Sequence, residues 1–401
     1  MTTLNEGTAE KTTFAVLIAL SCFHLFNDSV QSLIQSVYLM IRESLSLDLA
    51  HIGLITLTYQ LASSMFQPVV GLYTDRHPQP YALPLGMGLS MAGLYYYAVA
   101  GSLSAVLLSV VLVGAGSAIF HPEASRLAHL ASGGRSGLAQ SLFQVGGNFG
   151  SALGPLAVAR WVTPYGLENL RWFTIVPFFA MFAMFPVTRW YKSKLHLIQE
   201  RRKTAPKAVS LSPYPTRTVV LSLGVLLILV FSKYVYWASL GTYYMFYLEE
   251  KFAISAQSAQ YCLFLFSFSV AAGTVIGGPV GDRYGRKYVI WVSILGVAPF
   301  TLIMPYVQTL WATCVLSVLI GLILSSAFSA ILIFAQELLP GKVGMIAGFF
   351  FGFAFGIAGI SSAVLGSVAD KYGIDFVYHL CSYLPLLGIF TYFLPNLHKK
   401  G

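Results

Sequence analysis

Charge is what this chain has least of: charged residues make up 10% of its 401 positions, while 56% are apolar. So little polar surface cannot coat a water-soluble globule, so lipid must solvate most of the chain. Acids are scarcer than bases, 15 against 24, which gives a net charge of +9. Those bases sit between apolar runs instead of forming one aromatic-laced face, which excludes a nucleic-acid partner and makes them topology signals. Cysteine is nearly absent. Cys22, Cys262, Cys314 and Cys381 all fall inside apolar runs, without the spacing of a metal site or a disulfide framework, so packing roles are expected. No nucleotide loop, cofactor motif or soluble domain is present, so no cofactor is expected and energy must come from an ion gradient. No small-residue cleavage site follows the first apolar run, which is too long for a signal peptide and reads as a retained membrane helix.

What the chain does have is long apolar runs. Twelve of them approach or exceed the roughly 20 residues that a bilayer core of about 30 Å requires. They lie near 14–41, 51–72, 81–100, 104–130, 137–163, 172–188, 218–248, 256–280, 288–306, 310–338, 344–369 and 376–395. Barrel strands alternate in short segments, so these runs predict helices. Of the 24 basic residues, 17 lie in the termini and the even-numbered loops and 4 in the odd-numbered loops. By the positive-inside rule both termini face the cytoplasm. The domain plan is a tail over 1–13, a six-helix bundle over 14–188, a cytoplasmic linker over 189–217, a second six-helix bundle over 218–395 and a tail over 396–401. The linker's Lys and Arg residues suit anionic lipid headgroups.

The two bundles repeat one plan. Gly278-Pro279-Val280-Gly281-Asp282-Arg283-Tyr284-Gly285-Arg286-Lys287 is echoed 207 residues earlier by Gly71-Leu72-Tyr73-Thr74-Asp75-Arg76-His77-Pro78-Gln79-Pro80. Gly134-Arg135-Ser136-Gly137 and Gly341-Lys342-Val343-Gly344 stand at the same offset. Duplicated bundles around an axis normal to the membrane place a substrate at their interface, where rocking gives alternating access.

A glycine-framed Asp-Arg turn after the second span of each half, with a central cytoplasmic loop, resembles the major facilitator superfamily. The narrower resemblance is to exporters of the anionic phosphonate fosmidomycin within that superfamily. It is carried by His24-Leu25-Phe26-Asn27-Asp28, Phe120-His121-Pro122-Glu123, Ser141 to Gly150 and Ala271 to Asp282. It implies a fold of twelve helices in two bundles and a proton-coupled antiporter in the bacterial inner membrane, expected to be monomeric. By the same resemblance Gly71, Asp75, Arg76, Gly278, Asp282, Arg283, Gly285 and Arg286 brace and gate the cytoplasmic side. Their alternative role is as snorkelled loop charges. Pro78, Gln79 and Pro80 depart from the pattern in the first copy.

Within the spans, His24, Asp28, Gln31 and Gln35 are spaced 4, 3 and 4 apart, which puts them on one helical face that lipid cannot solvate. Burying Asp at a helix centre costs about 3 kcal/mol, so Asp28 needs a wet cavity, a partner or a proton, and is a candidate proton carrier. Lys233 lies 205 residues later at a similar depth in the equivalent helix, with Tyr236 and Tyr243 on its side. An acid facing a base here forms either a pair that an anionic ligand opens or a permanent charge pair. In span 4, Glu123 and Arg126 either pair along the helix or handle protons and substrate, and His121 is a possible relay with His24. His121-Pro122-Glu123 lacks the histidine spacing of a zinc enzyme, so no metal is expected. Gln140, Gln144 and Asn148 in span 5, with Gln31 and Gln60, are candidate hydrogen-bonding groups for a polar solute. Gly146, Gly150 and Gly154 allow close helix approach, and Gly348, Gly352 and Gly356 are expected to pack likewise. Lys233 and Arg126 suit an anion. An importer or exchanger of an organic anion metabolite is the other transporter reading, because direction follows the gradients. A channel would need a continuous pore and an intramembrane enzyme a nucleophile, paired carboxylates or metal ligands, which no spacing here supplies.

Overall fold

The computed structural model describes residues 12–133, 135–204, 212, 214–339 and 343–397. Side chains at 72, 75, 76, 136, 137, 196–204, 277–279, 281, 282, 343–345 and 347 lie outside the description. The gating expectations for Asp75, Arg76, Gly278 and Asp282 fall there, as do most of both tails and the glycine marks at 134 and 341.

Among the described residues the chain is all helical. The helices are α1 Phe14–Ser36, α2 Tyr38–Leu45, α3 Leu49–Arg76, α4 Ala82–Ala98, α5 Leu103–Ala131, α6 Ser136–Ala157, α7 Ile175–Ala183, α8 Phe185–Thr204, α9 Thr216–Phe252, α10 Ala256–Tyr284, α11 Arg286–Ile294, α12 Ala298–Ile303, α13 Leu310–Ser325, α14 Ala327–Leu338, α15 Val343–Tyr372 and α16 Ile374–Ser382. Among the described residues, nine segments are long and apolar enough to cross a membrane, including Phe14–Ser36, Leu103–Ala131, Thr216–Phe252 and Gly348–Tyr372. Helix α8 carries the sixth expected span on to Thr204, so the basic stretch after 188 begins as helix.

Polar residues set the helix ends. Asp48 caps α3 by accepting from His51 N at 2.8 Å, and Ser102 caps α5 by accepting from Ala105 N at 3.3 Å. Gly285 turns the chain between α10 and α11 at φ +92°, a conformation open to glycine and strained for other residues. All four cysteines are free thiols.

The first half packs around α1, α3, α5 and α6, the second around α9, α10, α13 and α15. The two most extensive pairs across the halves are α3 with α15 and α6 with α10. Under the 207-residue repeat, one pair is the image of the other.

Among the described residues, the bonds between these pairs gather at one end. At the end holding Asp370, Asp370 of α15 accepts from Leu49 N at 2.9 Å and Ala50 N at 2.7 Å, so one half caps a helix of the other. Nearby, Tyr243 donates to Leu49 O at 3.3 Å. Gln257 donates to Ala159 O at 2.8 Å and Gln260 to Ser36 O at 3.2 Å. Thr163 donates to Gln260 Oε1 at 2.6 Å. Glycines permit this closeness: a Cβ on Gly53 would lie 2.3 Å from Ser362 O, and one on Gly366 2.3 Å from Leu49 O. Toward the opposite end, which holds Gly71, the helices splay. A Cβ on Gly348, Gly352 or Gly356 would meet nothing within 4 Å, so this ladder, expected to pack, lines open space instead. The periodicity was right about a shared face and silent about whether a neighbour occupies it.

Candidate functional site

The ionisable face of α1 turns inward onto α5 and α6. Glycines bring it there: Cβ atoms on Gly146, Gly150 and Gly154 of α6 would lie 2.0 Å from Ser21 O, 2.2 Å from Leu25 O and 2.3 Å from Ser32 Oγ of α1. His24, 2% exposed, stacks on Phe143 with centroids 4.0 Å apart, and its Nδ1 donates to Phe143 O at 2.8 Å. Its Nε2 stands 3.3 Å from Asp28 Oδ2. From α5, His121 Nε2 stands 3.1 Å from Asp28 Oδ1, while its Nδ1 donates to Ser117 O at 3.0 Å. Asn27 and Gln31 donate to Asp28 Oδ1 at 3.1 and 3.3 Å, and Tyr59 of α3 donates to Gln31 Oε1. His24, Asp28, His121 and Gln31 therefore form one cluster, which the spacing anticipated for α1 and the sequence could not extend to Tyr59, Asn27 or the two backbone carbonyls.

Behind the cluster stands Gly147. A Cβ there would lie 2.4 Å from His24 Nε2 and Cε1 and 2.8 Å from Asp28 Oδ2. Sequence reading singled out its neighbour Gly146 and passed over Gly147.

Glu123 belongs to a separate network nearer the Gly71 end. It is 1% exposed and accepts from Arg126 Nη2 at 2.5 and 2.6 Å. Arg126 also donates to Tyr191 Oη at 2.5 Å and Thr74 O at 2.8 Å. These bonds tie α3, α5 and α8 together at the base of the first half, the pairing alternative for Glu123 and Arg126. In the second half the matching brace is the ion pair of Arg286 with Glu337, and Arg283 stacks near Tyr284, 5.4 Å from its ring centroid. Glu337 carried no sequence signal because the repeat has no acid at the equivalent position.

Lys233 is buried, 4% exposed. Its Nζ donates to Ser325 O at 3.4 Å and lies 5.7, 5.9 and 5.8 Å from the ring centroids of Tyr234, Trp237 and Phe328. Among the described residues no carboxylate pairs with it. The acid–base pair across the halves is thus not formed: Asp28 engages two histidines of its own half, and Lys233 three rings of its own. Equivalent depth in a repeat fixes height in the membrane but not rotation about the helix axis.

The remaining candidates divide. Tyr236 donates to Met304 Sδ at 3.9 Å inside the second bundle, and Tyr243 donates to Leu49 O and Ser362 O at the closed end, so both serve packing there. Gln140 accepts from Ser125 at 3.1 Å and Gln144 donates to Asn148 Oδ1 at 3.2 Å, both glutamines exposed. Gln60 faces Gly359 of α15, where a Cβ would lie 3.0 Å from its own Cβ. A cavity of about 280 Å³ opens between α6 and α10, lined by Val145, Asn148 and Phe149 on one side and Phe268, Ala272 and Val275 on the other. Asn148 is the one polar residue in a lining that is otherwise apolar.

Comparison with known proteins agrees with this architecture. The chain is 56% identical over 393 residues to the fosmidomycin resistance protein of Escherichia coli strain K12, covering 98% of this chain and 96% of that one. It is 39% identical over 399 residues to the uncharacterised transporter YfnC of Bacillus subtilis strain 168, covering 99% and 97%. Among solved structures, a variant of the nucleoside transporter NupG superposes with a TM-score of 0.70 at 14% identity, covering 95% and 98%. A bacterial homologue of the human lysosomal transporter Spinster superposes with a TM-score of 0.69 at 15% identity, covering 96% and 95%. The sequence model of the Major Facilitator Superfamily matches residues 17–251 and again 225–401, and this chain, a membrane transporter and not an enzyme, belongs to that family.

Proposed function

We propose that this chain is a proton-coupled antiporter of the bacterial inner membrane that exports fosmidomycin, an anionic phosphonate, by alternating access. The observation that carries the coupling is Asp28 between two imidazole Nε2 atoms, a carboxylate flanked by groups that take up and pass on a proton. The 56% identity to a relative named for fosmidomycin resistance supports the substrate. Lys233, a buried cation with no carboxylate partner among the described residues, supports an anionic one.

Helices α3, α4 and α6, of 28, 17 and 22 residues, complete twelve crossings with the nine apolar segments. The excess of Lys and Arg puts the Gly71 end and both termini in the cytoplasm. Closure at the Asp370 end then makes this the inward-open state. A drug that enters from the cytoplasm meets the wall of α6 and α10 before the halves rock.

The test uses proteoliposomes with an imposed pH gradient and labelled fosmidomycin. Wild type is expected to move the drug against the proton flow, Asp28→Asn to lose the pH-driven component, and Lys233→Ala to lose movement at equal protein content. No gradient-driven movement by wild type removes the substrate; wild-type behaviour of Asp28→Asn removes the carrier role.

A further inference from the structure

Where α1 meets α5, three groups converge on one point with their electron pairs foremost. Each histidine sets its Nδ1 against a backbone carbonyl, His24 against Phe143 O at 2.8 Å and His121 against Ser117 O at 3.0 Å, with Ser117 Oγ also 3.0 Å away; a carbonyl only accepts, which assigns the proton to each Nδ1. The open nitrogen of each ring is therefore Nε2, which in a neutral imidazole carries a lone pair. Both lone pairs face one carboxylate, His24 Nε2 at 3.3 Å from Oδ2 and His121 Nε2 at 3.1 Å from Oδ1. Acceptor against acceptor repels, so the arrangement calls for a cation between them, a proton or a metal ion.

We propose that this cluster binds one divalent transition-metal ion of the zinc class, with His24 Nε2, His121 Nε2 and an Asp28 carboxylate oxygen as ligands. Metal–ligand bonds of about 2.0–2.1 Å put the edges of a tetrahedral site at about 3.3 Å. The nitrogen–oxygen separations, 3.1 Å from His121 Nε2 to Oδ1 and 3.3 Å from His24 Nε2 to Oδ2, are each close to that edge, and the carboxylate presents one oxygen to each ring. They are longer than the about 2.7–2.9 Å of a charge-assisted hydrogen bond. One ligand atom from each of the three lies within 4.8 Å of the others.

The surroundings fit an ion as well. A ring nitrogen pinned by a backbone carbonyl fixes the tautomer and aims the other nitrogen, as around zinc ligands generally. Asn27, fully buried beside Asp28, has an Oδ1 with no partner among the described residues, a further oxygen donor in the same wall. Access exists because His121 and Asp28 keep 25% and 15% of their side-chain surface. Two imidazoles with one carboxylate select zinc, cobalt or nickel over magnesium and calcium, which take oxygen shells. The ligands come from two helices, with Asp28 and His121 93 residues apart, which is why no local spacing announced them. The proposal does not rest on proton coupling. A metal ion and a coupling proton nonetheless use the same lone pairs, so each excludes the other.

The test is a CoCl2 titration of the purified, tag-free, chelator-stripped full chain in detergent, read by visible absorption and isothermal calorimetry. Wild type is expected to bind one Co2+ per chain with an intense tetrahedral-type band, and ZnCl2 to displace it. His24→Ala, His121→Ala and Asp28→Asn are each expected to weaken binding by about 10- to 100-fold or more. His51→Ala, at an exposed histidine beside Asp48, is expected to bind as wild type. Gly147→Ala keeps every ligand while intruding on His24, so reduced affinity in a folded Gly147→Ala also supports the site. Absence of a one-to-one Co2+ complex in wild type, or equal affinity in the three ligand variants, overturns it. No transport is read, so this outcome is separate from that of the proteoliposome assay.

Discussion

Gly147 shows how a residue without a side chain controls those that have one. A methyl group there would sit 2.4 Å from His24 Nε2, and His24 cannot retreat, because it is stacked on Phe143 and bonded to its carbonyl. Overpacking of this kind costs about 1–3 kcal/mol. Gly147→Ala is therefore expected to cut pH-driven transport by about tenfold or more in proteoliposomes, with expression and chromatographic profile near wild type; unchanged transport would show that the geometry around Asp28 has slack. The polar face of α1 was legible because ionisable residues recur at helical spacing in a segment lipid must surround. The Phe143 and Ser117 carbonyls and the role of Gly147 were not, since a backbone atom has no residue type to read and glycine's importance lies in what its neighbours do.

At the scale of one element, α15 carries two kinds of glycine. Gly366 is pressed against α3, where a Cβ would meet Leu49 O at 2.3 Å, whereas Gly352 faces open space. Substitution must then act oppositely along one helix. A Cβ at 352 meets nothing within 4 Å in the present state, yet Gly352→Leu fills the face that must meet the first half when the Gly71 end closes, so transport is expected to be lost with thermal stability near wild type. Gly366→Ala strains the closed end and is expected to lower the melting temperature of the detergent-solubilised protein. If both variants behave alike in transport and stability, the splayed description of α15 fails. The glycine spacing put three residues on one helical face and pointed to packing there, which Gly348, Gly352 and Gly356 do not make. Which part of it is occupied depends on how two halves of the chain tilt, which no local pattern encodes.

For the whole molecule, the balance between its states depends on the bonds that join the halves at one end and are lost at the other. Most of the hydrogen bonds described at the Asp370 end are between neutral groups; those of the Asp370 carboxylate, which accepts from Leu49 N and Ala50 N at the start of a helix, carry a charge. A carboxylate there gains from two backbone donors and from the positive end of the α3 dipole. Loss of such a cap costs about 1–2 kcal/mol. The loss falls only on the state in which the halves meet at that end, because Asp370 and α3 belong to different halves. Asp370→Ala is thus expected to shift the conformational equilibrium by about 5- to 30-fold toward opening at the Asp370 end. Spin labels across the two ends would report it as longer distances near Asp370 and shorter ones near Gly71. Asp370→Asn keeps an acceptor oxygen without the charge, so it is expected to fall between the two. Distances that match wild type in both variants would mean that the helix cap does not bias the rocking of the halves, and that the remaining contacts at that end suffice to hold it shut.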